Sequence, residues 1–190
     1  MSVDLTPARL NMVESQVRTQ DVTDTAIHDA MRTVRREDFV PPAKAHAAYA
    51  DAEVEYAPGR YLLKPRDVAK LLQELRPQPL ERALAIAAPY AAAVLEAMGL
   101  NVEQLVEGDL KTVPGKDYDV IICEGAVAQA PAAWTQALGP QGRLGVIERD
   151  GPVGQGVIYV RTLEGAGRRV AFDSTPPVLP GFERERHFAF

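Results

Sequence analysis

The residues that could do chemistry are few and scattered. Cys123-Glu124 closes an apolar run, Tyr118-Asp119-Val120-Ile121-Ile122, which reads as a buried strand, and ligands of open α/β sheets collect at the C-terminal ends of such strands. A thiol there could act as a nucleophile; a buried, inert structural thiol is the simpler reading. His28, His46 and His187 stand far apart without ligand spacing, so no metal site is expected. Arg35-Arg36 could clamp a phosphate, but the adjoining Glu37-Asp38 favours a solvated turn of mixed charge. Trp134 and the Tyr and Phe residues read as core rather than as a stacking platform.

The elements that must position these groups follow from periodicity. Thr6-Pro7 can open a helix in which Leu10, Val13 and Val17 share a face, and Thr23-Asp24 can cap a second bearing Ile27, Ala30, Met31 and Val34. Phe39-Val40-Pro41-Pro42 breaks it. A short helix is expected over residues 43–49 and a strand over 52–56, closed by Pro58-Gly59. Pro65 then begins a helix whose Val68, Leu71, Leu72 and Leu75 face a core, ended by Pro77 and Pro79. Beyond this point strand and helix alternate: strands over 83–87, 102–106, 118–123 and 143–148, and helices over 90–98 and 132–138. Such alternation builds parallel βαβ units. A hairpin over 156–163 and 168–172 turns at Gly165-Ala166-Gly167, and His187-Phe188-Ala189-Phe190 reads as a last strand.

Composition bounds the partners. With 190 residues, 46% apolar and 25% charged, the chain has the profile of one folded α/β domain. A net charge of -5 opposes non-specific nucleic-acid binding. One cysteine cannot form an internal disulfide, and residues 1–20 contain no unbroken apolar run, so no secretory signal is visible and a cytoplasmic location is expected. Residues 83–100 approach membrane-spanning length, yet Pro89 and Glu96 make a strand followed by a helix the better reading, and no membrane partner is expected.

Several stretches together resemble the protein-L-isoaspartate O-methyltransferases. They are Met12-Val13-Glu14-Ser15-Gln16-Val17-Arg18, Asp24, Ala30-Met31, Val34, Arg36, Phe39-Val40-Pro41 and Ala48-Tyr49-Ala50-Asp51. Later matches are Gly59 with Pro65, Val94-Leu95, Gly108-Asp109, residues 118–122 with Pro131, Leu138, and Gly142-Arg143-Leu144. The resemblance spans nearly the whole chain and is most specific before Asp51. It implies methyl transfer from S-adenosylmethionine to isoaspartyl carboxylates in damaged proteins. It also implies a Rossmann-like methyltransferase sheet, shortened here, with an N-terminal helical extension and a C-terminal antiparallel hairpin. Residues 1–80 are expected as the helical and substrate-loop region, packed on a core formed by 81–190 in one compact unit.

Against that pattern the cofactor loop has lost its glycines. The resemblance implies an acid at the end of the first sheet strand, and Ala85 stands there; the glycine segment is reduced to Ala87-Ala88-Pro89. Glycine is needed in such a loop for positive φ and because any Cβ would occupy ligand space. Only residues 99–107 separate the first Rossmann helix from Gly108-Asp109, so one helix and one edge strand are expected to be missing. Leu63 stands at the family's serine position. No catalytic residue is therefore expected intact, and Glu107, Asp109 and Glu124 are candidate remnants of the cofactor site, with a plain solvated turn acid as the other reading of Glu107. The resulting expectation is a non-catalytic homologue that needs no cofactor and serves in binding or assembly, with a protein or peptide partner or a second copy through the N-terminal helices. The alternative is an active or weakly active enzyme using S-adenosylmethionine in a rebuilt pocket.

Overall fold

A computed structural model describes residues 4–184, so the strand expected at residues 187–190 lies outside the described residues. Helix α1 (Thr6–Met12) starts with proline in its first turn, and the Asp4 carboxylate accepts the Thr6 N–H at 3.0 Å. The chain continues helically through a π turn (Val13–Val17) and a 3-10 turn (Arg18–Gln20), ending at Asp21 with φ 62°. Val13 and Val17 are buried as expected, but Leu10 is 43% exposed and Met12 takes the inward position. Helix α2 (Thr25–Thr33) is capped by Asp24, whose carboxylate accepts the Ala26 N–H, and it buries Ile27, Ala30 and Met31.

Two 3-10 segments, Arg36–Phe39 and Pro42–Ala47, follow; the second replaces the helix expected at 43–49. Strand β1 (Val54–Ala57) pairs antiparallel with β2 (Arg60–Leu62), a strand not foreseen, across a turn in which Gly59 has φ +70°. A Cβ on Gly59 would come within 2.5 Å of Pro180, so the turn needs glycine on both counts. Helix α3 (Pro65–Leu75) buries Val68, Leu71, Leu72 and Leu75, each worth about 1.5–3 kcal/mol of apolar transfer.

The remaining elements are β3 (Arg82–Ile86), α4 (Pro89–Ala97), β4 (Asn101–Leu105), β5 (Tyr118–Val127), α5 (Ala132–Gln136), β6 (Leu138–Arg149), β7 (Gly154–Thr162) and β8 (Gly165–Asp173). They form a six-stranded sheet in the order β4-β3-β5-β6-β7-β8. The first four strands are parallel, and β6, β7 and β8 form the antiparallel part. Ile86 is in register with both Leu105 and Cys123, so the C-terminal ends of β3, β4 and β5 lie level.

The two faces of the sheet bury alternate residues, as the period of a strand requires. Ala83, Ala85, Val120 and Ile122 face α1, α2, α3 and α4, whereas Leu84, Ile86, Ile121 and Cys123 face Trp134, Leu110, Leu179 and Phe182. The connection from β4 to β5 is irregular. It crosses β3 through residues 106–117 without a helix, and β4 is left at the sheet edge. The Trp134 indole pins this crossover by donating to the Leu110 carbonyl at 2.8 Å.

Candidate functional site

The bend after β3, where α/β ligands are placed, is built from backbone hydrogen bonds and buried methyl groups. Ala87 has φ +47°, the left-handed region that favours glycine, so the turn keeps its shape although its residue has a side chain. Its N–H donates to the Leu105 carbonyl at 2.9 Å and its C=O accepts from the Tyr56 hydroxyl at 3.0 Å. Ala88 has φ -131° and ψ 61°, and Pro89 then opens α4. Ala85, Ala87, Ala88 and Tyr90 are fully buried. Burial raises the Tyr90 hydroxyl well above its ordinary value, and its oxygen has no hydrogen-bond partner.

Glu124 reaches this bend because β5 bulges. Ile122 pairs with Gly145, but the next in-register residue is Ala126 against Ile147, so four steps on β5 meet two on β6. Gly125, with φ +141°, supplies the irregularity, and a Cβ there would meet Leu179 at 2.6 Å. The strand was expected to end at Cys123; it runs to Val127 and turns the Glu124 side chain into the helical face. One carboxylate oxygen accepts the Ala91 N–H of the first turn of α4 at 2.6 Å, and the other accepts the Leu63 N–H at 3.1 Å. Burial pushes the Glu124 carboxyl up, opposed by the Arg36 charge and by these two N–H groups.

Arg36 corrects the sequence reading. Arg35 is exposed as expected, but Arg36 is completely buried rather than part of a solvated turn. Its Nε donates to the Ala48 carbonyl at 2.7 Å and its Nη2 to the Leu63 carbonyl at 2.5 Å, while the guanidinium lies 4.7 Å from the centre of the Tyr90 ring. Desolvation lowers its pKa, with Tyr90, Glu124 and Tyr49 acting in the opposite sense. The planar fork explains the choice of arginine, since one side chain ties two backbone segments and covers an aromatic face. Leu63 thus joins the two charges through its peptide groups: its N–H serves Glu124 and its C=O serves Arg36.

The other candidates are not drawn into this cluster. Arg60 of β2 donates to the Val106 carbonyl just past β4, closing over the end of that strand. Glu107, next in the chain, is exposed. Asp109 is exposed too, and its carboxylate is spent locally on the Thr112 hydroxyl (2.8 Å) and the Lys111 N–H (3.0 Å), which hold its pKa down. Cys123 faces the opposite side of the sheet, its thiol pushed up by burial first and by Glu124 second, so it is no thiolate at neutral pH. His28 hydrogen-bonds the Val22 carbonyl at 2.8 Å and His46 is exposed, while His187 lies outside the described residues. Among the described residues no group of three or more His, Cys, Asp or Glu side chains could hold a metal ion.

Sequence reasoning missed Arg36, Tyr56 and Tyr90 as parts of this site. Gly125 directly after Glu124 was the available signal, because a glycine inside a strand pattern marks a bulge that re-aims its neighbour. Chemically, the cluster is a carboxylate whose oxygens are both engaged, beside a buried cation. It holds no charge open to a substrate. Two cavities of about 710 and 720 Å³ lie away from the bend, one lined by Leu138, Pro140 and Leu163, the other by Leu5, Val40 and His46.

The sheet order, the flanking helices and the terminal antiparallel strands define a Rossmann-like methyltransferase fold. The family profile described as Protein-L-isoaspartate(D-aspartate) O-methyltransferase (PCMT) matches residues 8–108. The chain belongs to the protein-L-isoaspartate O-methyltransferase family. A protein-L-isoaspartate O-methyltransferase of Methylorubrum extorquens (strain PA1) is 32% identical over 209 residues, covering 94% of this chain and 91% of that protein. One of Koribacter versatilis (strain Ellin345) is 26% identical over 193 residues, covering 87% and 86%. A solved protein-L-isoaspartate O-methyltransferase superposes with a TM-score of 0.73 at 18% identity, over 94% of this chain and 67% of that one. A beta-aspartate methyltransferase (PCMT) from Plasmodium falciparum, in complex with S-adenosyl-L-homocysteine, superposes with a TM-score of 0.70 at 14% identity, over 90% and 97%.

Proposed function

We propose that this chain is a family member that has given up methyl transfer and works by binding or assembly. The observation that carries the reading is the Glu124 carboxylate, which takes the Ala91 and Leu63 N–H groups at a bend lined by buried alanines. An isoaspartyl carboxylate is ionised at neutral pH and needs no strong base, so catalysis in this family's reaction rests on holding donor and acceptor in line. Placement of that kind is worth effective molarities of roughly 10⁵ M or more. S-adenosylmethionine does not fit the residues present. The Glu124 carboxylate already takes the N–H groups at the start of α4 and at Leu63, the Ala87 and Ala88 methyl groups stand where bare backbone is needed, and Pro89 offers no N–H.

Calorimetric titration with S-adenosylmethionine and S-adenosylhomocysteine tests this. No heat of binding is expected with either, and micromolar affinity for one of them overturns the reading. A second reading, a weakly active isoaspartyl methyltransferase, is favoured by the family match over residues 8–108. Labelled-methyl transfer to an isoaspartyl peptide decides for it, and none at high enzyme concentration decides against it.

The partner in our reading is a protein or peptide, or a second copy docked through the N-terminal helices, with no role for nucleic acid. Light scattering after gel filtration reports the second copy, and a strictly monomeric species removes it. A cytoplasmic location is part of the same proposal, supported by a single cysteine and by the absence, among the described residues, of any helix long and apolar enough to cross a membrane.

A further inference from the structure

The geometry points to Glu124 as a tethered ligand: the space between the first turn of α4, the Leu63 peptide and Arg36 is a carboxylate-binding cradle that the chain fills with its own side chain. This deepens the reading above by naming the device that closes the bend. Four features make the space a receptor and not merely a neighbourhood. Two backbone N–H groups from separate segments, Ala91 and Leu63, converge on one carboxylate, at 2.6 and 3.1 Å. The donor from α4 stands at the positive end of a nine-residue helix.

A buried cation lies alongside, attached to the same Leu63 peptide, and one of its nitrogens, Nη1, has no partner. The Tyr90 hydroxyl, on the residue before Ala91, is fully buried and equally unpartnered. Buried donors without acceptors are rare, and both belong to residues close enough to feel the Glu124 carboxylate. The fourth feature is the delivery of the acid. A strand residue would normally continue the ladder, but the bulge at Gly125 diverts Glu124 out of it and into the cradle.

The ligand class the cradle accepts is therefore a carboxylate, and it becomes free when the tether is cut. Glu124→Ala leaves Ala91, Leu63 and Arg36 in place around a space of carboxylate size. Sodium acetate and sodium formate, set against sodium chloride at matched ionic strength, are the probes, and the melting temperature is the reading. In Glu124→Ala either carboxylate should raise the midpoint saturably, by about 3–6 °C at a tenfold excess over its dissociation constant. The unaltered chain and Glu124→Gln, in which the cradle stays filled, should respond no more to carboxylate than to chloride.

An equal response of Glu124→Ala to acetate, formate and chloride overturns the proposal. Where Glu124→Ala does not stay folded in chloride, the refolding yield is read instead: higher recovery in acetate supports the cradle, and equal recovery in the two salts refutes it. Titration of the unaltered chain with S-adenosylmethionine bears on methyl transfer alone. Donor binding there would sink the proposed function and leave the acetate result to be judged separately.

Discussion

Replacing Ala87 by glycine isolates the strain left in the bend. With φ +47° the residue sits in the left-handed region, which costs an L side chain about 1–2 kcal/mol and glycine essentially nothing. Two losses oppose the gain. Glycine adds unfolded-chain entropy worth about 0.4–1 kcal/mol, and removal of a fully buried methyl forfeits about 0.8 kcal/mol. The three contributions nearly cancel, so Ala87→Gly should change stability by no more than about 0.8 kcal/mol either way. Ala85→Gly is the control: Ala85 is equally buried but lies in β3 outside the positive-φ residues, so only the losses remain, about 1.2–1.8 kcal/mol. Urea unfolding of both variants gives the comparison directly. Equal destabilisation of the two would refute the claim that the alanine is held against its preference. Calorimetry on Ala87→Gly adds a second reading. S-adenosylmethionine should still not bind, because the Glu124 carboxylate remains on the Ala91 N–H, and binding would show that the lost glycine alone had closed the site.

Arg36→Met should cost about 2–6 kcal/mol in urea unfolding, since it frees the buried Ala48 and Leu63 carbonyls; a loss under 1 kcal/mol would show that the guanidinium does not organise the core. Gly125→Ala should lose about 2–4 kcal/mol from its φ of +141° and its clash with Leu179, and the loss should shrink against a Leu179→Ala background; full additivity of the two changes would count against the clash. Burial raises the Asp67 carboxyl despite the Ser174 hydroxyl donating to it at 2.6 Å. The folded state therefore keeps a proton that the unfolded chain has released, so stability falls as pH rises from the ordinary carboxylate value through the raised one. Asp67→Asn removes that slope, and its urea midpoint should gain on that of the unaltered chain between pH 4 and 7; parallel pH profiles would refute the assignment.

Most of the fold could be read from periodicity and punctuation. Val68, Leu71, Leu72 and Leu75 mark α3 because their spacing is helical and Pro65 fixes the start, and the capping role of Asp24 follows from its place before Ile27. What could not be read depended on contacts distant in sequence. Arg36 beside Glu37-Asp38 looks solvated, and only the fold brings the Ala48 and Leu63 carbonyls to its guanidinium. Strand β2 is three residues long, too short to show alternation, and the helix expected at 43–49 tightened into a 3-10 segment led by Pro41-Pro42. At the bend, the absence of glycine from Ala87-Ala88-Pro89 was legible, but not that Ala87 would adopt a left-handed turn, because tertiary packing holds a geometry that local preference opposes.

A sheet that ends at β4 has a rim with unsatisfied peptide groups, the kind of surface on which chains aggregate. Here the rim is only five residues long, and at its middle sits Glu103, whose carboxylate accepts from the Tyr118 hydroxyl at 2.7 Å and pairs with Arg82 at 3.3 Å. A foreign strand laid along this rim would have to desolvate that charge and displace its partners. A five-residue edge with a charge at its centre is a poor template for another chain, which is one way an open sheet guards its border.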